Sequence, residues 1–201
     1  MRLSTALTLS MLICVGASAA GAGEKPSFVW PVPEGWKTET IPFPLDFAPD
    51  LHHTGVEELR FSPGFANPEA PDNWTYAFAW ILEDDATFTE ATLAKELTAY
   101  FKGLSMAVGS KKFDFDPKHF AAHFEARPAA PDSKVREYTG SVETYDCFRT
   151  GKPITLHLLV RTLPCQDGMR RAVLVATSRL TDEDTIWPGL RRLLDDFRCG
   201  G

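Results

Sequence analysis

The chain reads as an α+β protein: an antiparallel β-sheet flanked by two amphipathic helices, in the order β-β-β-α-β-β-β-β-α. Three observations predict this. Residues 74–82 carry Trp74, Tyr76, Phe78, Trp80 and Leu82 at a two-residue period, with Ala77, Ala79 and Ile81 between them. Apolar residues on both faces mark a central strand covered on both sides. Leu93, Leu97, Tyr100, Phe101, Leu104 and Val108 recur at spacings of three and four, which places them on one helical stripe. The remaining strand segments follow one another through short, turn-rich links, so they favour antiparallel neighbours.

The elements follow in order. Residues 24–35 hold Pro26, Pro31 and Pro33 and read as an extended arm anchored by Trp30 and Trp36. Residues 37–41 alternate as a strand, and Pro42 and Pro44 confine it to a sheet edge. Residues 56–61 form a second strand. Pro63, Gly64, Pro68 and Pro71 make residues 62–72 a loop. Thr87 and Glu90 have the spacing of a capping box at the start of the first helix, and Gly109 suits its C′ position. Phe120, Ala122, Phe124 and Ala126 alternate as a strand, and residues 135–148 form a long one with one wet face. Thr150-Gly-Lys-Pro153 is a turn, Ile154, Leu156, Leu158 and Val160 form the next inward face, and residues 171–178 are another strand. Trp187, Leu190, Leu194 and Phe197 mark a closing helix, with Pro188 tolerated in its first turn.

The 201 residues are 44% hydrophobic and 24% charged, which excludes a coiled coil, a collagen-like repeat and a disordered chain. The N-terminus has the form of a secretory signal peptide: Arg2, an apolar run from Leu3 to Val15, then small residues to Gly23. The expected organisation is a signal peptide at 1–23, the arm at 24–35 and a single α+β domain at 36–199. The apolar run is too short to span a bilayer, which takes about 20 residues, so the expectation is a periplasmic or secreted protein with no transmembrane segment. Losing Arg2 takes the net charge from −6 to −7, which disfavours nucleic acid and anionic membrane.

No catalytic residue, metal site or cofactor is expected from motifs. His119 and His123 have the i, i+4 spacing of a zinc pair on a helix. In an alternating strand they stand about 13 Å apart and cannot share one ion. His52 and His53 lie in a loop between Pro49 and Gly55, where an acid could orient one of them for acid–base or metal chemistry. A thiol nucleophile at Cys147 would need a base such as His157. The row Trp74, Tyr76 and Trp80 either packs under a helix or lines an apolar ligand pocket. These three, with His52 and His53, are the candidate ligand-binding residues.

Three cysteines follow the expected leader, and an oxidising compartment would pair two of them. The strand at 171–178 leaves the 164–169 loop and the last helix returns antiparallel to it, so Cys165 and Cys199 are expected at one end of the molecule. Cys147 sits roughly 30 Å away along the hairpin. A Cys165–Cys199 bridge with Cys147 free is the expectation.

The strand order, the mid-chain helix and the closing segment Ile186-Trp-Pro-Gly-Leu-Arg-Arg-Leu-Leu-Asp-Asp-Phe197 resemble the PsbP/DcrB/Mog1-like α/β/α sandwich. The resemblance implies a secreted or periplasmic accessory protein without established enzymatic activity, and no functional residue carries over from it. The expected function is non-enzymatic binding of a protein partner or a small apolar ligand. The alternative is an extracytoplasmic hydrolase or metal-dependent enzyme built on the His52–His53 loop.

Overall fold

The computed structural model describes residues 28–181 and 183–200. The expected leader lies outside them, as do the first four residues of the arm. In chain order the elements are β1 (Phe28–Val29), β2 (Lys37–Pro42), β3 (Gly55–Phe61), β4 (Tyr76–Leu82), α1 (Glu90–Gly109), β5 (Ala121–Ala126), β6 (Arg136–Tyr145), β7 (Pro153–Pro164), β8 (Arg171–Ser178), α2 (Ile186–Asp195) and β9 (Arg198–Cys199). The fold class is as read from the sequence. Two elements escaped that reading, because β1 and β9 are two residues each and too short for a period to register.

Seven strands form one sheet in the order β2-β3-β4-β8-β7-β6-β5, with every neighbouring pair antiparallel. The chain leaves β4, crosses one face as α1, starts again at the far edge in β5, and returns by hairpins to lay β8 beside β4. All seven residues of β4 are buried, because α1 covers one face and α2 the other. Its alternation explains the layering. Tyr76, Phe78, Trp80 and Leu82 join the core under α1. Ala77, Ala79 and Ile81 face the core under α2, where small side chains let that helix settle closely. β2 is an edge strand, and β1 and β9 form a separate two-stranded pair.

Three local readings are corrected. The N-cap of α1 is Thr89, not Thr87: the Thr92 amide donates to Thr89 Oγ1 at 3.3 Å and the Thr89 amide to Thr92 Oγ1 at 2.7 Å. A hydroxyl at N3 therefore does the work expected of Glu90. Gly109 closes the helix itself, with Ser110 as a right-handed C-cap. Glycine is needed there for space, since a Cβ would stand 2.6 Å from the Phe115 ring. Trp74 precedes β4 at a φ of 57°, and its Nε1 donates to Asp146 Oδ1 at 3.1 Å.

The arm is tied to α2. Trp30 is buried, and its Nε1 donates to the Leu193 carbonyl at 2.8 Å. Arg60, also buried, stacks 4.7 Å from the Trp30 ring centroid and donates to the Trp30 carbonyl. Cys165 and Cys199 stand at disulfide distance, with Cα atoms 4.9 Å apart and a sequence separation of 34. Cys147 is buried and unpaired.

Candidate functional site

One helix cannot cover one face of this sheet. Seven strands at about 4.8 Å spacing span roughly 30 Å, while a helix is about 10 Å wide. α1 runs closest to β5 and β6 and reaches β4 through Tyr100, which stacks on Phe78, so the β2–β3 edge on the same side is left to loops. The loop at 43–51 closes part of the gap. Gly103 makes this possible: a Cβ there would meet the Phe47 carbonyl oxygen at 2.1 Å, so only glycine lets the loop lie against the helix.

What remains open is a cavity of about 420 Å³, within the range of small-molecule sites. Its floor is Ile41, Leu59, Phe61 and Tyr76 from β2, β3 and β4. Tyr100, Leu104 and Val108 of α1 form one wall, and Phe47, Phe65 and Phe148 close the ends. Lys37 and Glu39 are exposed at the rim. The aromatic rings brace one another. Phe61 stacks on Tyr76 at 5.7 Å between centroids, Phe65 meets Tyr76 edge-on at 5.2 Å, and Phe47 meets Tyr100 edge-on at 5.2 Å. The walls are therefore held by packing rather than by a ligand.

Polar groups are buried at the floor. Tyr76 is 2% exposed, and its hydroxyl has no hydrogen-bond partner. Glu57 is 0% exposed. It sits opposite Ile41 on one side and Trp80 on the other, on the same face of β3 as Leu59 but outside the cavity lining. Trp80 Nε1 donates to Glu57 Oε1 at 3.0 Å, while Oε2 is unpartnered. Burial pushes the Glu57 carboxyl up to about 7, with the Glu39 charge adding to the rise and the Trp80 indole and neighbouring Tyr100 hydroxyl opposing it. Burial, with the Glu57 charge second, also holds the Tyr76 and Tyr100 hydroxyls well above the usual tyrosine range. Two buried polar atoms without partners are unusual in a folded chain, and each asks for an explanation.

The residues singled out from the sequence fall in different places. Tyr76 lines the cavity; Trp74 and Trp80 are fully packed core residues of the same face and do not line it. His52 is exposed. His53 is buried between two carboxylates, Nδ1 3.0 Å from Asp84 Oδ2 and Nε2 3.1 Å from Glu96 Oε2. Desolvation would lower its pKa, but the hydrogen bonds and charges of Glu96 and Asp84 outweigh it and raise the value. Both ring nitrogens are occupied, so the imidazole pins the β2–β3 loop to α1 and has no free nitrogen for a substrate. His119 lies before β5 with Nε2 3.2 Å from the Thr144 carbonyl, and His123 is exposed on β5. Among the described residues, no group of three or more His, Cys, Asp or Glu is placed to hold a metal ion. His157 pairs with Ser141, six residues up the strand from Cys147. Burial pushes that thiol up to about 12, far from a thiolate at neutral pH.

Lining residues missed by sequence reading include Phe61, Phe65, Phe148, Tyr100 and Leu104. Glu57, which the sequence offered as an acid to orient His52 or His53, does not do so; Asp84 and Glu96 hold His53 instead. Tyr100 and Leu104 look like ordinary stripe residues, and nothing in a one-dimensional period shows where a helix stops covering a sheet.

Fold and cavity together define a three-layer α/β/α protein with an aromatic cleft between one helix and a sheet edge. No family model matches the chain, and no curated protein does. A solved structure of LpqN, described as involved in cell envelope biogenesis of Mycobacterium tuberculosis, is similar at a TM-score of 0.36 and 13% identity, over 90% of this chain and 87% of that one. A score that low carries no conclusion about fold or role. The resemblance to the PsbP/DcrB/Mog1-like group thus rests on layering and element order alone. Among the described residues, no helix is long and apolar enough to cross a membrane.

Proposed function

We propose that this is an extracytoplasmic, non-enzymatic binding protein whose ligand is a small, largely apolar molecule held in the cavity between α1 and the β2–β4 face. The observation that carries the reading is the 420 Å³ cavity lined by aromatic and aliphatic side chains. A ligand that filled it would bury apolar area at about 25 cal/mol per Å². The cysteine pair and the leader-like N-terminus support the compartment. No observation favours the hydrolase alternative, since His53 has both nitrogens engaged and lies outside the cavity lining.

The test is a fluorescence titration with N-phenyl-1-naphthylamine, a neutral apolar probe, on the native chain and on Leu104→Trp. Leu104 is a half-buried wall residue, so an indole there fills the cavity without entering the core. The native chain should enhance probe emission with saturation, and the variant should bind at least about tenfold more weakly, a loss of about 1.4 kcal/mol. Equal binding by both proteins would place the probe elsewhere and remove the proposal.

A further inference from the structure

The chain carries 27 acids against 21 bases, a net charge of −6, so its cations have carboxylates to choose from. Arg60, Arg127, Arg161, Arg170 and Arg191 each meet one. Lys134, Arg136 and Arg171 do not: among the described residues none of them forms an ion pair. Yet all three line one second cavity, of about 260 Å³, and no acid lines it with them. The sheet accounts for their meeting. Arg136 of β6 is in register with Thr162 of β7, and two residues further along β7, Pro164 is in register with Arg171 of β8. The two-residue period puts these four on the face of Tyr138, Val160 and Val173, which is the α1 face. Two strand spacings and two residues of rise separate the arginine Cα atoms by about 12 Å, a gap that two guanidinium side chains close on one anion. Lys134 enters from the loop before β6, and Thr87 from the segment that leads into α1. We propose that this cavity is an anion site for the phosphoryl group of a small organic phosphomonoester.

The chemistry selects that class. A phosphomonoester is a dianion above a second pKa of about 6, with three terminal oxygens. Guanidinium forks donate to such oxygens in pairs, so cations from three different segments and the Thr162 hydroxyl can be matched at once. A carboxylate has one charge and two oxygens in one plane, and leaves part of that set unmatched. A bare phosphate does not fill the space. The remainder lies over Phe88 and Tyr138, which are buried. The Tyr138 hydroxyl is already spent on the Phe88 carbonyl at 3.0 Å, so that part of the floor offers rings, and a compact apolar or aryl group on the ester suits it. Glu90 is the acid whose charge is felt here: burial first and Glu90 second raise the Tyr138 hydroxyl, while Arg136 lowers it. Glu90 does not line the cavity, and it pairs with neither arginine.

The experiment is isothermal titration calorimetry at about pH 8 and low salt with phenyl phosphate and benzoate. The proteins are the native chain, Arg136→Gln, Arg171→Gln and, as a control, Arg192→Gln, an exposed arginine of α2 on the opposite side of the sheet. All three side chains are exposed, so the variants keep the core. Phenyl phosphate should bind the native chain about tenfold or more tighter than benzoate, lose about tenfold in each cavity variant, and change by less than about twofold in the control. Cosedimentation with phosphatidylcholine vesicles, with and without phosphatidic acid, separates the two sources of such a group. Phenyl phosphate bound as described with the vesicles ignored supports a soluble ester. Binding that needs phosphatidic acid and is lost in both cavity variants supports a lipid head group. Benzoate as tight as phenyl phosphate, losses in the cavity variants no larger than in the control, or no binding of either phenyl phosphate or the vesicles would each overturn the proposal.

Discussion

Replacing Glu57 with Gln should make the protein more stable, and more so as pH rises. The side chain is fully buried, and its carboxyl is raised from 4.5 to about 7 by burial. A raised acid favours the protonated folded form, so the native chain loses stability as pH climbs from about 4.5 to about 7, with no further loss above that. The difference between those two values, at about 1.4 kcal/mol per pH unit, is about 3 kcal/mol. Gln keeps the shape and can accept the Trp80 indole hydrogen bond at the Oε1 position, but it never ionises. Glu57→Gln should therefore exceed the native chain by about 3 kcal/mol at pH 8 and by less than about 1 kcal/mol at pH 5. Urea melts of both proteins at the two pH values measure this, and comparing variant with native chain cancels the other titrating groups. A gain that is the same at both pH values, or a destabilised variant at pH 8, would mean that the carboxyl is solvated or paired.

The remaining predictions concern the frame. Leu97 is fully buried on α1, and Leu97→Ala should cost about 2–5 kcal/mol, while Lys95→Ala on the exposed face changes stability by less than about 0.5 kcal/mol; equal effects in denaturant melts would misplace the helix. Removing the Cys165–Cys199 pair by double alanine substitution should cost about 2–4 kcal/mol for a loop of this length, and non-reducing peptide mapping of the native chain should recover those two cysteines together, with a Cys147–Cys165 peptide counting against the strand order. His53 has its pKa raised by Glu96 and Asp84 against desolvation, so its stabilisation is full below 6.5 and lost as pH rises through the higher folded value. The stability gap between the native chain and His53→Gln should thus shrink above pH 6.5, and a gap constant with pH would refute the ion pairing. Gly103→Ala should destabilise by about 1–3 kcal/mol as the Phe47 carbonyl is pushed off the helix.

Much of the frame was legible because it rests on periods. The aromatic–alanine alternation of β4 announced a strand covered on both sides, and the 93–108 stripe announced the helix above it. The edge position of β2 followed from Pro42 and Pro44. What the period did not carry was the cap at Thr89, where several threonines compete and backbone geometry chooses, and the pairing of β1 with β9, which depends on contacts between distant ends of the chain. The site was less legible still. Tyr76 was singled out because it belongs to the aromatic row, but Trp74 and Trp80 of that row are walled into the core. The cavity exists because a helix of ordinary width leaves the β2–β3 edge of a wide sheet uncovered, a property of tertiary placement. The buried acid Glu57 was visible as a charge in an apolar alternation, while its lack of an ion-pair partner among the described residues is a tertiary fact.

The central claim is that the space between α1 and the β2–β4 face holds a ligand. Crystallography of the native chain grown with N-phenyl-1-naphthylamine tests it most directly. The account predicts density along the cavity, in contact with Leu59 and Leu104, and Phe65 and Phe148 unmoved at its ends. A cavity filled instead by those two side chains, with the probe absent or bound elsewhere on the surface, would contradict it.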